Sequence, residues 1–186
     1  MRVFGIDPGS DRTGYGCIDS DGRRHQLVGC GAVHAGTGAT FADQLLIIYR
    51  ELRALIGQHR PECVAIENIF YATNARSALK LGHARGVAML AAIESGVTVV
   101  EYTPAEIKRA VVGYGRAEKP QVGQMVKLLL GLDAIQKPHD AADALAVAIC
   151  HLHNGGTVQA GLKTRLHAKT NGVAAPKRWR DYRPSK

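Results

Sequence analysis

The chain has 186 residues, of which 46% are hydrophobic and 22% are charged, and it carries a net charge of +8. This length and composition are typical of a single folded domain and exclude collagen-like, intrinsically disordered and disulfide-stapled small proteins. The charge is uneven, because residues 156–186 carry eight Lys or Arg and one Asp, whereas residues 1–155 carry 16 basic and 15 acidic residues.

The sequence contains neither a membrane-spanning stretch nor a cysteine motif. Its longest charge-free apolar runs fall far short of the roughly 20 residues that cross a bilayer. Asp7 interrupts the start of the chain, where a signal peptide would need an apolar core. The four cysteines form no Cys-x-x-Cys pair, which favours buried free thiols in a reducing compartment over zinc or redox sites. We therefore expect a cytoplasmic protein with no membrane association.

The first third of the chain predicts a sheet followed by a helix. Three strands joined by Gly, Asp and Ser turns are predicted at 2–7, 14–19 and 25–34, and their spacing indicates an antiparallel meander. The apolar period that follows Thr40 predicts a helix that ends before Pro61. At its start, Thr40 and the acid three residues later resemble a capping box.

Strand and helix patterns alternate in the rest of the folded region. Strands are predicted at 63–67 and 97–101, and Thr103, followed by Pro104 and Glu106, predicts a capped helix start. The remaining helices are predicted at about 75–95, 120–130 and 140–153. This order predicts an α/β fold in which helices cover both faces of one mixed sheet.

A domain boundary is predicted near residue 155. Residues 156–186 lack an apolar period, contain glycine and proline, and hold Trp179 and Tyr182 among basic residues. These features are typical of a flexible arm that binds nucleic acid, since aromatic rings stack on bases. A merely solubilising tail is the alternative. We therefore expect a folded domain at 1–155 and a basic, flexible tail at 156–186.

Two acidic residues end predicted strands. Asp7 ends the first strand, directly before Pro8 and Gly9, and Glu67 ends the buried run at 63–67. Asp7 is also typical of a turn-capping aspartate, whereas a carboxylate at the end of a buried strand needs a partner. The carboxyl ends of strands are where ligand sites gather in such sheets.

Two further acids, Asp140 and Asp143, lie three residues apart at the start of the last helix and project from one face. The alternative is structural, with Asp140 as the N-cap and Asp143 as a first-turn acid favoured by the helix dipole. The surrounding apolar run predicts burial, and adjacent buried acids require a cation. Four carboxylates without sulfur or paired imidazole suit Mg²⁺ or Mn²⁺, and such ions support in-line attack on a phosphodiester.

Five short motifs follow one another over residues 1–154. They are Gly5-Ile6-Asp7-Pro8-Gly9, Ala65-Ile66-Glu67 with Asn68-Ile69-Phe70-Tyr71, the helical segment 78–86, Val111-Val112-Gly113 with Ala117-Glu118-Lys119, and Asp140-Ala141-Ala142-Asp143-Ala144-Leu145-Ala146. Each motif alone is weak. Together, and at these spacings, they resemble the RuvC family of bacterial Holliday junction resolvases, whereas the tail shows no comparable match.

The resemblance implies a ribonuclease H-like fold with a five-stranded sheet and an endonuclease that depends on Mg²⁺, with Mn²⁺ as a substitute and one or two ions per subunit. It implies a homodimer that resolves four-way DNA junctions by paired symmetric nicks in recombination and repair, beside the RuvA and RuvB branch-migration proteins. It further implies that the four matching acids bind the metal and that the two matching lysines contact DNA and support catalysis. These catalytic positions are Asp7, Glu67, Asp140, Asp143, Lys108 and Lys119.

The loop after Glu67 is the predicted junction-binding element. Phe70 falls where the family places an aromatic ring that stacks on an unpaired base, and the adjacent Tyr71 leaves open which ring does so. Local packing of either ring is the alternative. The predicted DNA-binding residues are Phe70, Tyr71, Asn74, Arg76, Lys80, Lys108, Arg116 and Lys119.

Small residues recur every four positions along the long helix, at Ala78, Gly82 and Gly86. The resemblance makes this stripe the expected two-fold contact, and packing on the chain's own sheet is the alternative. Two other functions stay open. One is a YqgF-type ribonuclease H-like RNA-processing nuclease, and the other is a noncatalytic junction-binding module, in which basic residues carry the affinity and the carboxylates are dispensable.

Overall fold

The computed structural model describes residues 1–36, 38–68 and 74–155, and a mixed five-stranded sheet lies at its centre. The strands are β1 (Arg2–Asp7), β2 (Arg12–Ser20), β3 (His25–His34), β4 (Cys63–Glu67) and β5 (Thr98–Tyr102). Their order across the sheet is β3-β2-β1-β4-β5. The first three strands form an antiparallel meander, whereas β4 and β5 run parallel to β1. The predicted mixed sheet is therefore confirmed.

Helices cover both faces of the sheet. They are α1 (Phe41–His59), α2 (Ala75–Glu94), α3 (Pro104–Val112), α4 (Lys119–Leu129) and α5 (His139–His153). One core lies between the sheet and α1 and α2 and includes Phe4 and Ile66. The other lies beneath α3, α4 and α5 and includes Val3 and Ala65. Because neighbouring residues of a strand point to opposite faces, β1 and β4 contribute to both cores.

The most buried helix, α5, lies directly against β1 and β2. Every residue from Ala144 to His151 is buried. Two glycines permit this approach, since a Cβ at Gly5 would clash with the Ala144 carbonyl and a Cβ at Gly14 with the Asp140 carbonyl. The close packing brings the first turn of α5 to the carboxyl end of β1.

Most observed boundaries lie within two residues of the predicted ones. β2 begins two residues earlier than predicted, because Arg12 still pairs with His34 at the end of β3. β5 begins and ends one residue later than predicted, and α4 begins at Lys119 instead of Pro120.

The helix starts follow the predicted caps with one exception. The Thr40 hydroxyl accepts a backbone N–H at the start of α1, and Thr103 forms the predicted capping box at the start of α3. The interpretation of Asp140 as an N-cap is wrong. Pro138 occupies the cap position, α5 begins at His139, and Asp140 lies inside the first turn.

The cysteines are free, as predicted, with Cys17, Cys63 and Cys150 buried and Cys30 half-buried. Within the described residues, no helix combines the length and the apolar character needed to cross a bilayer. The predicted tail at 156–186 lies outside the described residues.

Candidate active site

Two carboxylates lie side by side at one edge of the sheet. Asp7 ends β1 and Glu67 ends β4, and the parallel register that pairs Ile6 with Ile66 makes the two acids neighbours. Their carboxyl groups interact directly, and this interaction raises the pKa of Asp7 and lowers that of Glu67. The structure therefore brings the first two candidate acids together.

The ionised form of this pair is unfavourable. Burial raises the pKa of Asp7 well above its usual value, and the charges of Glu67 and Asp143 raise it further, whereas Lys119 lowers it. Burial also raises the pKa of Glu67, against the lowering effects of its hydrogen bond with Asp7 and of Lys119 and Lys108. A buried cluster of carboxyl groups with raised pKa values is typical of a functional site.

The N-terminal part of α5 contributes a third acid. Asp143 raises the pKa of both Asp7 and Glu67, and its carboxylate accepts a 2.9 Å hydrogen bond from Lys119 Nζ. The Lys119 side chain is 80% exposed and that of Asp143 is 22% exposed, so the amine approaches the acid from the solvent side. This hydrogen bond raises the pKa of Lys119.

The fourth acid, Asp140, contacts a residue that the sequence did not single out. Arg12, the first residue of β2, places Nη1 at 3.4 Å from Asp140 Oδ2. The two residues are 128 positions apart, so no local spacing predicts their pairing. The sequence signal that could have identified Arg12 was its position as a basic residue soon after the turn that follows Asp7.

The other predicted residues near the cluster differ in their surroundings. Lys108 lies on α3, and its charge lowers the pKa of Glu67. Arg116 is exposed in the connection between α3 and α4. Phe70 and Tyr71 lie outside the described residues.

Three predicted DNA contacts lie at the start of α2. Asn74 caps the helix by accepting the Ser77 N–H at 2.8 Å. Lys80 Nζ lies 5.5 Å from the centre of the Phe41 ring, which is typical of a cation–π contact. Arg76 is exposed. Among the described residues, the structure records no contact between these three side chains and the carboxylates.

The donor chemistry of the cluster fits a hard divalent cation. Asp7, Glu67, Asp140 and Asp143 offer only carboxylate oxygens, which Mg²⁺ and Mn²⁺ prefer. As the side chains are placed, no three potential ligands in the described part of the chain converge tightly enough to hold an ion. Asp140 and Asp143 each contact a basic side chain, and these contacts must open to complete a metal site.

A depression lies between Glu67 and α2. Arg85 on its wall is held by Glu101, with 2.6 Å between Nε and Oε1. The residues that line the depression are Pro8, Glu67, Leu81, Gly82 and Arg85.

Comparison with protein families and curated proteins gives one consistent result. Residues 3–151 match the family of crossover junction endodeoxyribonuclease RuvC. The protein of that name from Koribacter versatilis is 54% identical over 170 residues, which cover 91% of this chain and 99% of the relative. The one from Syntrophotalea carbinolica is 57% identical over 153 residues, which cover 82% of this chain and 94% of the relative.

Solved structures give the same result. The Thermus thermophilus RuvC structure matches at a TM-score of 0.78 and 33% identity, covering 84% of this chain and 96% of that one. T. thermophilus RuvC in complex with Holliday junction substrate matches at a TM-score of 0.79 and 34% identity, covering 83% of this chain and 94% of that one. The yeast mitochondrial Holliday junction resolvase, at 15% identity and a TM-score of 0.57, shares the fold alone. The mixed sheet is therefore the ribonuclease H-like sheet that the resemblance implied.

These matches span the region that holds all four candidate acids. They favour neither the RNA-processing nuclease nor the noncatalytic junction-binding module. The chain belongs to the RuvC family of crossover junction endodeoxyribonucleases, which are divalent-metal-dependent nucleases that resolve four-way DNA junctions.

Proposed function

We propose that this chain makes paired, symmetric nicks across a four-way DNA junction, with Asp7, Glu67, Asp140 and Asp143 holding one or two Mg²⁺ ions per subunit. Mn²⁺ substitutes for Mg²⁺. The observation that carries the proposal is the buried pair of Asp7 and Glu67, whose pKa values are raised and which Asp143 adjoins. Such a cluster is unfavourable when ionised and favours a bound cation.

The residues of the chain divide between holding the site and contacting DNA. Bound Mg²⁺ supplies Lewis acidity to the phosphodiester. Asp7 and Glu67 are fixed by adjacent strands, which gives the site a rigid base. Lys119 is exposed enough to exchange Asp143 for a DNA phosphate, and Lys108 adds positive charge beside Glu67.

Calorimetric titration with Mn²⁺ tests the metal site. The wild type is expected to bind one or two ions per subunit. Asp143→Asn should bind them about 10- to 100-fold more weakly, because a negative ligand is lost. Glu51→Gln, which removes an exposed acid from α1, is the matched control and should match the wild type. Equal Mn²⁺ binding by Asp143→Asn and the wild type would contradict the assignment.

The polar and basic residues around the cluster supply phosphate contacts that position the junction. Arg76 and Arg116 are exposed, and binding a phosphate would break no contact that the described residues make with them. Lys80 exchanges its contact with the Phe41 ring for a phosphate. Lys108, Lys119 and Asn74 complete this set of proposed phosphate contacts.

Phe70→Ala should impair cleavage of a fully paired junction more than cleavage of a junction whose centre is already unpaired. A stacked base contributes roughly 1 to 3 kcal/mol, which offsets part of the cost of opening the pairs. Single-turnover cleavage rates on the two junctions measure the difference. Tyr71→Ala is the matched control. A larger defect in Tyr71→Ala than in Phe70→Ala would assign the stacking role to Tyr71. If each variant cleaved the paired and the unpaired junction with equal defects, neither ring of this loop would stack on a base.

The homodimer contact is assigned to the exposed face of α2. Gly82 and Gly86 are exposed, and a Cβ at either would have no atom within 4 Å. Packing of these glycines on the chain's own sheet is therefore excluded. Two large apolar side chains also lie exposed on this helix, Leu79 at 65% and Leu90 at 49%. A second copy of α2 would cover this apolar face and relate two active sites by the two-fold symmetry of the junction.

The remaining assignments concern the whole protein. Residues 1–155 form the nuclease domain, and the basic tail at 156–186 adds phosphate contacts that raise affinity without selecting sequence. The protein acts in the cytoplasm, beside the RuvA and RuvB branch-migration proteins. The family match over residues 3–151 supports the first boundary.

A further inference from the structure

Arg12 enters the active site from a well-bonded turn. Thr13 Oγ1 donates to the Gly9 carbonyl at 2.7 Å and accepts the Gly9 N–H at 3.3 Å. The Ala35 N–H donates to the Asp11 carbonyl at 3.1 Å. These bonds fix the backbone on both sides of Arg12, so its side chain starts from an ordered position at the edge of the carboxylate cluster.

The guanidinium group is held by one carboxylate and is otherwise open to solvent. Its Nη1 lies 3.4 Å from Asp140 Oδ2, and the Arg12 side chain is 49% exposed. A guanidinium has five N–H donors, and this is the contact recorded for it within the described residues. The other donors are therefore available to a second anion.

We propose that Arg12 is a phosphate-binding residue of this site, held on Asp140 until a divalent ion takes that carboxylate. The inference rests on the proposed metal site. The guanidinium and the ion compete for Asp140, because both are positive and repel each other at short range. Once released, the planar guanidinium can donate two parallel hydrogen bonds to a DNA phosphate.

This exchange couples metal binding to DNA binding. While Arg12 contacts Asp140, its charge weakens the attraction of the cluster for a cation, and Asp140 competes with a DNA phosphate for the guanidinium. When the ion binds Asp140, the guanidinium loses that partner and favours a phosphate. Removal of the Arg12 charge should therefore have opposite effects on the two affinities.

Calorimetry without DNA tests the first effect. Arg12→Gln is expected to bind Mn²⁺ about 3- to 10-fold more tightly than the wild type, because a positive charge beside a ligand is lost. Arg12→Lys keeps the charge and should stay close to the wild type. Arg23→Gln removes an exposed charge from the turn between β2 and β3, and this control should leave Mn²⁺ binding unchanged.

Stopped-flow fluorescence anisotropy, which records junction binding before cutting, tests the second effect. With Mn²⁺, Arg12→Gln is expected to bind the junction about 5- to 10-fold more weakly than the wild type. The slope of log K against log salt should also become shallower by about 0.9, the value for one lost phosphate contact. With chelator in place of Mn²⁺, both differences should disappear.

Two results would overturn the inference. An equal loss of junction binding with Mn²⁺ and with chelator would make Arg12 an ordinary surface contact. Unchanged Mn²⁺ affinity in Arg12→Gln would show that Arg12 does not compete with the ion at Asp140. If the wild type itself bound no Mn²⁺, the proposed metal site would fail, and this inference would fail with it.

Discussion

Asp7→Asn is expected to abolish cleavage while making the folded chain more stable. The substitution keeps the size of the side chain but removes a negative metal ligand, so the cleavage rate should fall by about 10³-fold or more. Burial and the neighbouring acids raise the pKa of Asp7, so its ionised form is destabilising in the fold. Without a metal ion, the neutral asparagine should therefore increase the free energy of unfolding at neutral pH.

The pH dependence of this gain has a definite sign. A carboxyl group whose pKa is raised on folding stabilises the native state while it is protonated, and this stabilisation is lost as pH rises through the folded-state pKa. The difference in Tm between Asp7→Asn and the wild type should therefore be small below about pH 4, the usual pKa of an aspartate, and should grow towards neutral pH.

Thermal unfolding with and without Mg²⁺ measures both parts of this expectation. Mg²⁺ should raise the Tm of the wild type and leave that of Asp7→Asn nearly unchanged. Glu51→Gln, an exposed acid on α1, is the control and should behave like the wild type. A lower Tm for Asp7→Asn without metal, together with lost junction binding, would mean that Asp7 is needed for folding instead.

Gly86→Glu is expected to convert the proposed dimer into monomers without harming the fold. A Cβ at Gly86 meets no atom of its own chain within 4 Å, so one chain accommodates the new side chain. In the proposed dimer, the glutamate would lie in the contact between the two helices without a partner charge. The dimer Kd should therefore rise about 100-fold or more, which corresponds to roughly 3 kcal/mol.

Sedimentation and junction cleavage measure the two consequences of Gly86→Glu. The variant should sediment as a monomer and make isolated single nicks instead of paired ones. Gly57→Glu is the matched control, because Gly57 is also an exposed helical glycine with no neighbour within 4 Å, but it lies on α1. A dimer that persists in Gly86→Glu would place the two-fold contact elsewhere.

The sequence predicted the fold well because the signals that define it are local. Turn residues and apolar patterns located the strands and helices within two residues, and the capping box at Thr103 located the start of α3. The packing of α5 on the sheet was not predictable in detail. It depends on Gly5 and Gly14 meeting the backbone of a helix more than 120 residues away.

The candidate site was predictable in its acids and not in its ion pairs. Asp7 and Glu67 end strands, so a parallel register is enough to bring them together. The contact of Arg12 with Asp140 joins β2 to α5 across the sheet edge, and it depends on side-chain positions that no sequence spacing encodes. The incorrect N-cap at Asp140 has a local cause, since Pro138 takes the cap position and the helix begins one residue earlier.

Cleavage of a synthetic four-way junction, compared with a linear duplex of the same sequence, tests the central claim most directly. Each DNA is incubated with the wild-type protein, once with Mg²⁺ and once with chelator. We expect paired nicks at symmetric positions on the junction with Mg²⁺, little cutting of the duplex, and no cutting with chelator. Equal cutting of the linear duplex, or cutting of the junction with chelator, would contradict a metal-dependent junction resolvase.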